Sequence, residues 1–129
     1  MPDSLRKRVL VVDDEAAIAH GVAMRLEASG YDVETAEDGE KGVDAARRGH
    51  PDVVLMDVRM PRMDGREALV TLRADQATAD IPIIMLSASL RDQQEALRSG
   101  ASFFLTKPYR CQELLAAIEH VLPPQISMP

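Results

Sequence analysis

Three carboxylates, a hydroxyl and an ammonium stand just after runs of apolar residues in this sequence. Asp13 and Asp14 follow residues 9–12, Asp57 follows residues 53–56, Ser87 follows the run ending at Leu86, and Lys107 comes soon after residues 103–105. In a doubly wound sheet, ligands bind beyond the carboxyl ends of the strands, so these five groups would meet on one edge. Three carboxylates gathered there repel, and without compensation at least one takes up a proton. A cation is the natural compensation. Zinc sites favour His and Cys, whereas Mg²⁺ takes hard oxygen ligands, so this acidic cluster points to Mg²⁺. With the metal screening it, a remaining carboxylate can attack phosphorus and form an aspartyl phosphate, and Asp57 is the best candidate. Such a transfer asks little of a protein beyond positioning and charge stabilisation. Lys107 can pair with one phosphoryl oxygen, and Ser87 can donate a hydrogen bond to another.

The elements that must hold these residues follow from periodicity. The continuous Val/Leu run at 8–12 suits a strand buried on both faces, as in a parallel sheet. Similar runs lie at 53–56 and 81–86, a shorter one at 103–105, and a weaker β-branched signal at 31–35. Between them run segments with helical spacing: Ile18, Val22 and Leu26; Ala68, Leu69 and Leu72; and Leu114, Leu115, Ile118 and Leu122. Segments 37–48 and 90–98 carry thinner apolar stripes. Gly30, Gly49 and Gly100 each close a helical stretch, where a left-handed cap favours glycine. The order βαβαβαβαβα implies right-handed crossovers and a three-layer α/β fold: a five-stranded parallel sheet with helices on both faces. Residues 1–122 form the domain and residues 123–129, with Pro123 and Pro124, a tail or the start of a linker.

Composition narrows the classes. At 129 residues the chain is long enough for one core without staples. Its one cysteine, Cys111, allows no internal disulfide and no cysteine-based zinc site, in keeping with a reducing compartment. No apolar run approaches the roughly 20 residues of a membrane helix, and residues 1–8 lack the apolar stretch of a signal peptide. A cytoplasmic location follows. The net charge of −6 argues against direct nucleic-acid binding.

The strings VLVVDDE, PDVVLMDVRMPRMDG, IIMLSAS and GASFFLTKPY resemble, in order and separation, the four signature segments of response-regulator receiver domains. The resemblance runs from Arg8 to about Leu122. It implies the flavodoxin-like (βα)₅ fold, with Asp57 as phosphoacceptor, Asp14 as a direct Mg²⁺ ligand, Asp13 as a ligand acting mostly through water, and the Arg59 backbone carbonyl as a further ligand. Ser87 matches the family's switch hydroxyl, Lys107 its phosphate-binding lysine and Phe104 its aromatic switch, and a cis Lys107–Pro108 peptide is implied. The implied partners are a sensor histidine kinase or histidine phosphotransfer protein as donor, and a downstream protein or effector domain. The implied signal is a changed surface on the fourth helix, fifth strand and fifth helix. The domain would be a monomer or a dimer formed on phosphorylation. Receivers of this kind catalyse their own phosphorylation and slow dephosphorylation without being enzymes in the usual sense; positions Arg59 and Ser89 match those that tune the lifetime. One departure is Ser102-Phe103, where winged-helix transcription regulators usually carry paired acidic residues, and it argues against their particular dimer.

Each residue has a plainer use. Asp13 and Asp14 could cap a helix, Asp57 could sit in a turn, Ser87 could cap the fourth helix, and Lys107 could be an ordinary surface lysine. Their joint placement at strand ends favours the chemical reading. Phe104 could equally be a core residue. His20, His50 and His120 lack ligand spacing and read as surface residues. Asp64-Gly65 and Pro61 shape the loop after Asp57. Two other functions compete: a pseudo-receiver that binds partners without phosphorylation, against which the complete set of five side chains counts; and a Mg²⁺-dependent phosphatase, which would want a second Asp where Arg59 stands.

Overall fold

The computed structural model describes residues 6–60 and 62–123. Along them run β1 (Arg8–Val12), α1 (Ala16–Ala28), β2 (Asp32–Ala36), α2 (Gly39–Gly49), β3 (Val53–Asp57), α3 (Gly65–Ala74), β4 (Ile83–Ser87), α4 (Arg91–Arg98), β5 (Phe103–Thr106) and α5 (Cys111–Val121). The strands form one parallel sheet in the order β2-β1-β3-β4-β5. The chain steps from β1 to β2 on one side and then crosses to β3 on the other, so the winding reverses and a crevice opens between β1 and β3 at the carboxyl edge.

Every residue of β3 and β4 is buried, as the continuous apolar runs require of strands covered on both faces. Val9, Val11, Val53, Leu55, Ile84 and Leu86 pack towards Leu26 of α1 and Leu114 and Ile118 of α5. Leu10, Val12, Val54, Met56, Ile83 and Met85 face the other way, towards Val43, Leu69, Leu72 and Ala96 of the remaining helices. This alternation within uniformly apolar strands is the three-layer α/β architecture read from the sequence.

Differences from the expected elements lie at their ends. The fourth strand starts at Ile83 rather than Ile81, because Pro82 supplies no N–H to a ladder, although Ile81 is itself buried. The second strand runs one residue later than expected, and the third and fifth each extend one residue further. Gly30 and Gly100 adopt positive φ, 102° and 111°, as expected of glycines after helices. Gly49 does not: it is the last residue of α2, and His50 takes the left-handed cap at φ 44°. Its N–H reaches the Ala46 carbonyl at 2.9 Å, which satisfies one carbonyl at the helix end.

Ser102 has an internal use. Its hydroxyl oxygen accepts the Ile83 N–H at 3.0 Å and lies 3.3 Å from an Arg73 guanidinium nitrogen. Arg73 also donates to the carbonyls of Gly100 and Ile81. The loops entering β4 and β5 are thus tied together on the side opposite the carboxylates. Pro61 and residues 124–129 of the expected tail lie outside the described residues.

Candidate functional site

Strand register brings the five groups together. Val12 pairs with Met56, so Asp13 and Asp57 project side by side from β1 and β3; Ser87 pairs with Thr106, so Ser87 and Lys107 end β4 and β5 on the same edge. Backbone bonds continue the ladder past the strands: the Asp13 N–H donates to the Ala36 carbonyl and the Lys107 N–H to the Ser87 carbonyl. The side chains are therefore positioned by the sheet itself.

Asp13, Asp14 and Asp57 each offer a carboxylate oxygen within 4.8 Å of the others. Asp13 and Asp57 are buried, at 5% and 6% exposure, while Asp14 faces solvent. One Asp13 oxygen accepts the Glu15 N–H at 2.9 Å, which orients it at the entry to α1. An all-oxygen set this close, with an open side, is suited to one small hard cation that keeps water ligands.

Lys107 donates from Nζ to Asp57 Oδ1 at 3.0 Å, and it is the one cationic side chain bonded to the cluster among the described residues. Burial pushes the Asp57 carboxyl above its ordinary value; the Lys107 hydrogen bond and charge pull it back, and the charges of Asp13 and Asp14 add to the rise. For Lys107 burial acts downward, but the hydrogen bond and charge of Asp57, with Asp13 behind it, leave the ammonium more strongly protonated than usual. One lysine thus offsets part of the charge of three carboxylates. The remaining imbalance is what a divalent cation would relieve.

Ser87 is buried at 2% exposure, but its hydroxyl does not point its hydrogen bond at Asp57. It donates to Asp92 Oδ2 at 2.5 Å and accepts the Ser89 N–H at 3.1 Å. The alternative use of Ser87 as a helix cap is excluded, since Leu90 holds that position for α4. Phe104 lies inside the core at 8% exposure, among the residues on the α2, α3 and α4 side. The Lys107–Pro108 peptide is cis, as the resemblance implies. His20, His50 and His120 are exposed.

Two residues of this region escaped sequence reasoning. Asp92, in the first turn of α4, accepts both the Ser87 hydroxyl and the Arg59 guanidinium, whose Nη2 lies 3.2 Å from Oδ1. Nothing in the spacing of Arg59, Ser87 and Asp92 announces that contact. Gly65 reads as half of a turn signal, yet its role is tertiary: a Cβ there would run into the Asp57 carbonyl oxygen and the Met85 methyl. The Gly65 N–H also donates to the Val58 carbonyl at 2.9 Å. Beside it, Asp64 caps α3 by accepting the Glu67 N–H at 2.9 Å, with the Glu67 carboxylate returning to the Asp64 N–H. The loop after Asp57 is thereby clamped at the start of α3.

Comparison with known proteins converges on one family. Residues 9–119 match the model of the response regulator receiver domain. The chain is 41% identical over 117 residues to the DNA-binding dual master transcriptional regulator RpaA of Synechocystis, covering 89% of this chain and 48% of that one. Response regulator MprA of Mycobacterium sp. is 39% identical over 117 residues, with 89% and 50% covered. The chain spans about half the length of these curated relatives. Among solved structures, chemotaxis protein CheY4 of Vibrio cholerae superposes with a TM-score of 0.85 at 36% identity, covering 91% of this chain and 99% of that one. The receiver domain of sensor histidine kinase PA1611 of Pseudomonas aeruginosa, solved with a magnesium ion coordinated in its active site cleft, gives 0.83 at 31% identity, covering 90% and 97%.

Proposed function

This chain belongs to the response-regulator receiver domain family of two-component signalling, and from that premise we propose that Asp57 is its phosphoacceptor, served by Lys107, Ser87 and a Mg²⁺ held at Asp13, Asp14 and Asp57. Mg²⁺ is the cofactor of this family's site, and the all-oxygen cluster of this chain fits it. The observation that carries the assignment is the Lys107 to Asp57 contact of 3.0 Å beside two further carboxylates. It places a fixed positive charge where a phosphoryl group on Asp57 would put negative charge, before any reaction begins.

In the proposed step an Asp57 carboxylate oxygen forms a bond to phosphorus while the bond from phosphorus to a donor histidine nitrogen breaks. The electron pair of that bond returns to the imidazole. The bound cation supplies charge screening and oxygen coordination for the transferred group. Lys107 pairs with a phosphoryl oxygen, and the Ser87 hydroxyl, once released from Asp92, donates to another. The Arg59 backbone carbonyl would serve as a further metal ligand. The donor is a sensor histidine kinase or a histidine phosphotransfer protein, and the same residues support autophosphorylation from small donors and slow dephosphorylation.

The output is a changed surface on α4, β5 and α5. Ala96 alone of the α4 residues is buried, while Leu90 at its start and Leu97 are exposed, so this helix is weakly anchored and free to respond. Phe104 is already inside the core, so its part is to settle into the space that Ser87 leaves. A partner protein or effector domain reads the surface, either on a monomer or in a dimer formed on phosphorylation. DNA binding in the relative RpaA is named for the whole of that protein; the net charge of −6 here argues against direct contact, so any link to DNA would need another domain or a partner. Among the described residues no helix is long and apolar enough to cross a membrane, which supports a cytoplasmic site of action.

Incubation with acetyl phosphate and Mg²⁺, followed by intact mass, tests the assignment. Phosphoryl uptake that needs Mg²⁺ and is lost in Asp57→Asn supports it. Uptake that survives the substitution would remove Asp57 from its role.

A further inference from the structure

Of the two side chains that would receive phosphoryl oxygens, one is in place and the other is engaged elsewhere. Lys107 already touches Asp57 at 3.0 Å. Ser87 has a single hydroxyl proton, and that proton goes to Asp92 Oδ2 at 2.5 Å. A hydroxyl can donate to Asp92 or to a phosphoryl oxygen, but not to both. Both partners are largely shielded from water: Ser87 is 2% exposed and the Asp92 side chain 13%. Hydrogen bonds to a carboxylate in such surroundings are among the stronger ones.

Asp92 is itself oriented from the far side of the site. Arg59, two residues past Asp57, reaches its carboxylate with Nη2 at 3.2 Å from Oδ1 and Nε at 3.4 Å from Oδ2. The Arg59 side chain is 72% exposed, so the pair contributes little stability by itself. It fixes which way the carboxylate faces.

We propose that Asp92 is a restraining residue that holds the Ser87 hydroxyl away from Asp57 in the resting domain, so that activation exchanges the Ser87–Asp92 hydrogen bond for one to the phosphoryl group. This rests on the reading of Asp57 and Ser87 given above. One charge-assisted bond is traded for another, so the two states lie close in free energy and the residue at position 92 sets the balance between them. Asp92 stands in the first turn of α4, whose one buried residue is Ala96. Releasing Ser87 therefore also frees the start of the helix that changes on signalling.

The test is a titration with beryllofluoride, a phosphoryl mimic, in saturating Mg²⁺, followed by NMR, on the wild type and on Asp92→Ala, Asp92→Asn, Ser87→Ala and the double variant Asp92→Ala with Ser87→Ala. Asp92→Ala is expected to lower the half-saturating beryllofluoride concentration roughly tenfold, the scale set by removing one charge-assisted hydrogen bond from the resting state. In the Ser87→Ala background the same substitution should change nothing. Asp92→Asn keeps an accepting oxygen without the charge and should fall between, and it preserves the comparison if the alanine variant folds poorly. Equal tightening in both backgrounds would show that only the loss of a negative charge matters, and would overturn the proposal. No tightening in either would overturn it as well. A wild type that fails to bind beryllofluoride would instead remove the reading of Asp57, and this inference with it.

Discussion

The site has a charge-stabilising side and a reporting side, and the two are prepared unequally. At the ends of β1, β3 and β5, Asp13, Asp14, Asp57 and Lys107 already stand together, as the proposed transfer would require, aligned by the parallel register. At the end of β4, Ser87 is bonded instead to Asp92 of α4, a helix that buries only Ala96. The difference separates two tasks. Groups that stabilise charge act best when nothing has to reorganise during the reaction. Groups that report the reaction need a second stable partner, because a residue with one possible arrangement cannot switch.

Four changes should separate these sides. The largest effect belongs to Lys107→Ala, which removes the fixed cation beside Asp57. Phosphoryl uptake from acetyl phosphate should fall by about 100-fold, the usual cost of deleting one charge-stabilising donor, and the metal-free protein should lose thermal stability, because buried Asp57 loses its cationic partner.

Gly65→Ala forces a Cβ against the Asp57 carbonyl. Overpacking of this kind costs about 1–3 kcal/mol, to be read as a lower urea midpoint, and it should weaken Mg²⁺ binding by displacing Asp57. A variant as stable as the wild type would mean that the α3 loop is looser than its close packing implies.

Asp57→Asn removes one of the crowded charges and should stabilise the metal-free protein at neutral pH by about 1 kcal/mol, or roughly 3–5 °C in Tm for a chain of this length. The sign follows from its pKa. Burial raises the Asp57 carboxyl in the folded state, so the native form holds that proton more tightly than the unfolded chain. The wild type therefore loses stability as pH rises from the ordinary carboxylate value through the raised one. The advantage of the asparagine variant should be absent in acid, appear across that window, and shrink on adding Mg²⁺.

The smallest effect on the chemistry is expected for Phe104→Leu, which keeps a buried apolar side chain at a cost below about 1.5 kcal/mol. Its informative readout lies on the switching side: phosphoryl uptake stays as in the wild type, while beryllofluoride-induced NMR shifts in α4 and β5 diminish. Unchanged shifts would reduce Phe104 to a core residue.

How much of this could be read from the sequence follows the same division. Asp13, Asp57, Ser87 and Lys107 were placed because each follows an apolar run, and a parallel sheet aligns the ends of such runs automatically. The first strand was placed to the residue, since an uninterrupted Val/Leu run admits few alternatives. The start of β4 was misplaced because Ile81 is as buried as the strand it precedes, and only Pro82 marks the break. His50 in place of Gly49 as the left-handed cap shows a preference yielding to where the helix ends. Asp92 and Gly65 were out of reach for a different reason. Their importance comes from contacts with Ser87, Arg59 and the Asp57 backbone, which depend on how α4 and α3 dock and leave no periodic trace.

The most direct measurement locates the phosphoryl group itself. The protein phosphorylated with acetyl phosphate and Mg²⁺ is treated with borohydride, which reduces an aspartyl phosphate to homoserine, and its peptides are then sequenced by mass spectrometry. The account predicts homoserine at position 57 and at no other aspartate. Modification at Asp13 or Asp14 instead, or none in a protein that has gained phosphoryl mass, would contradict it.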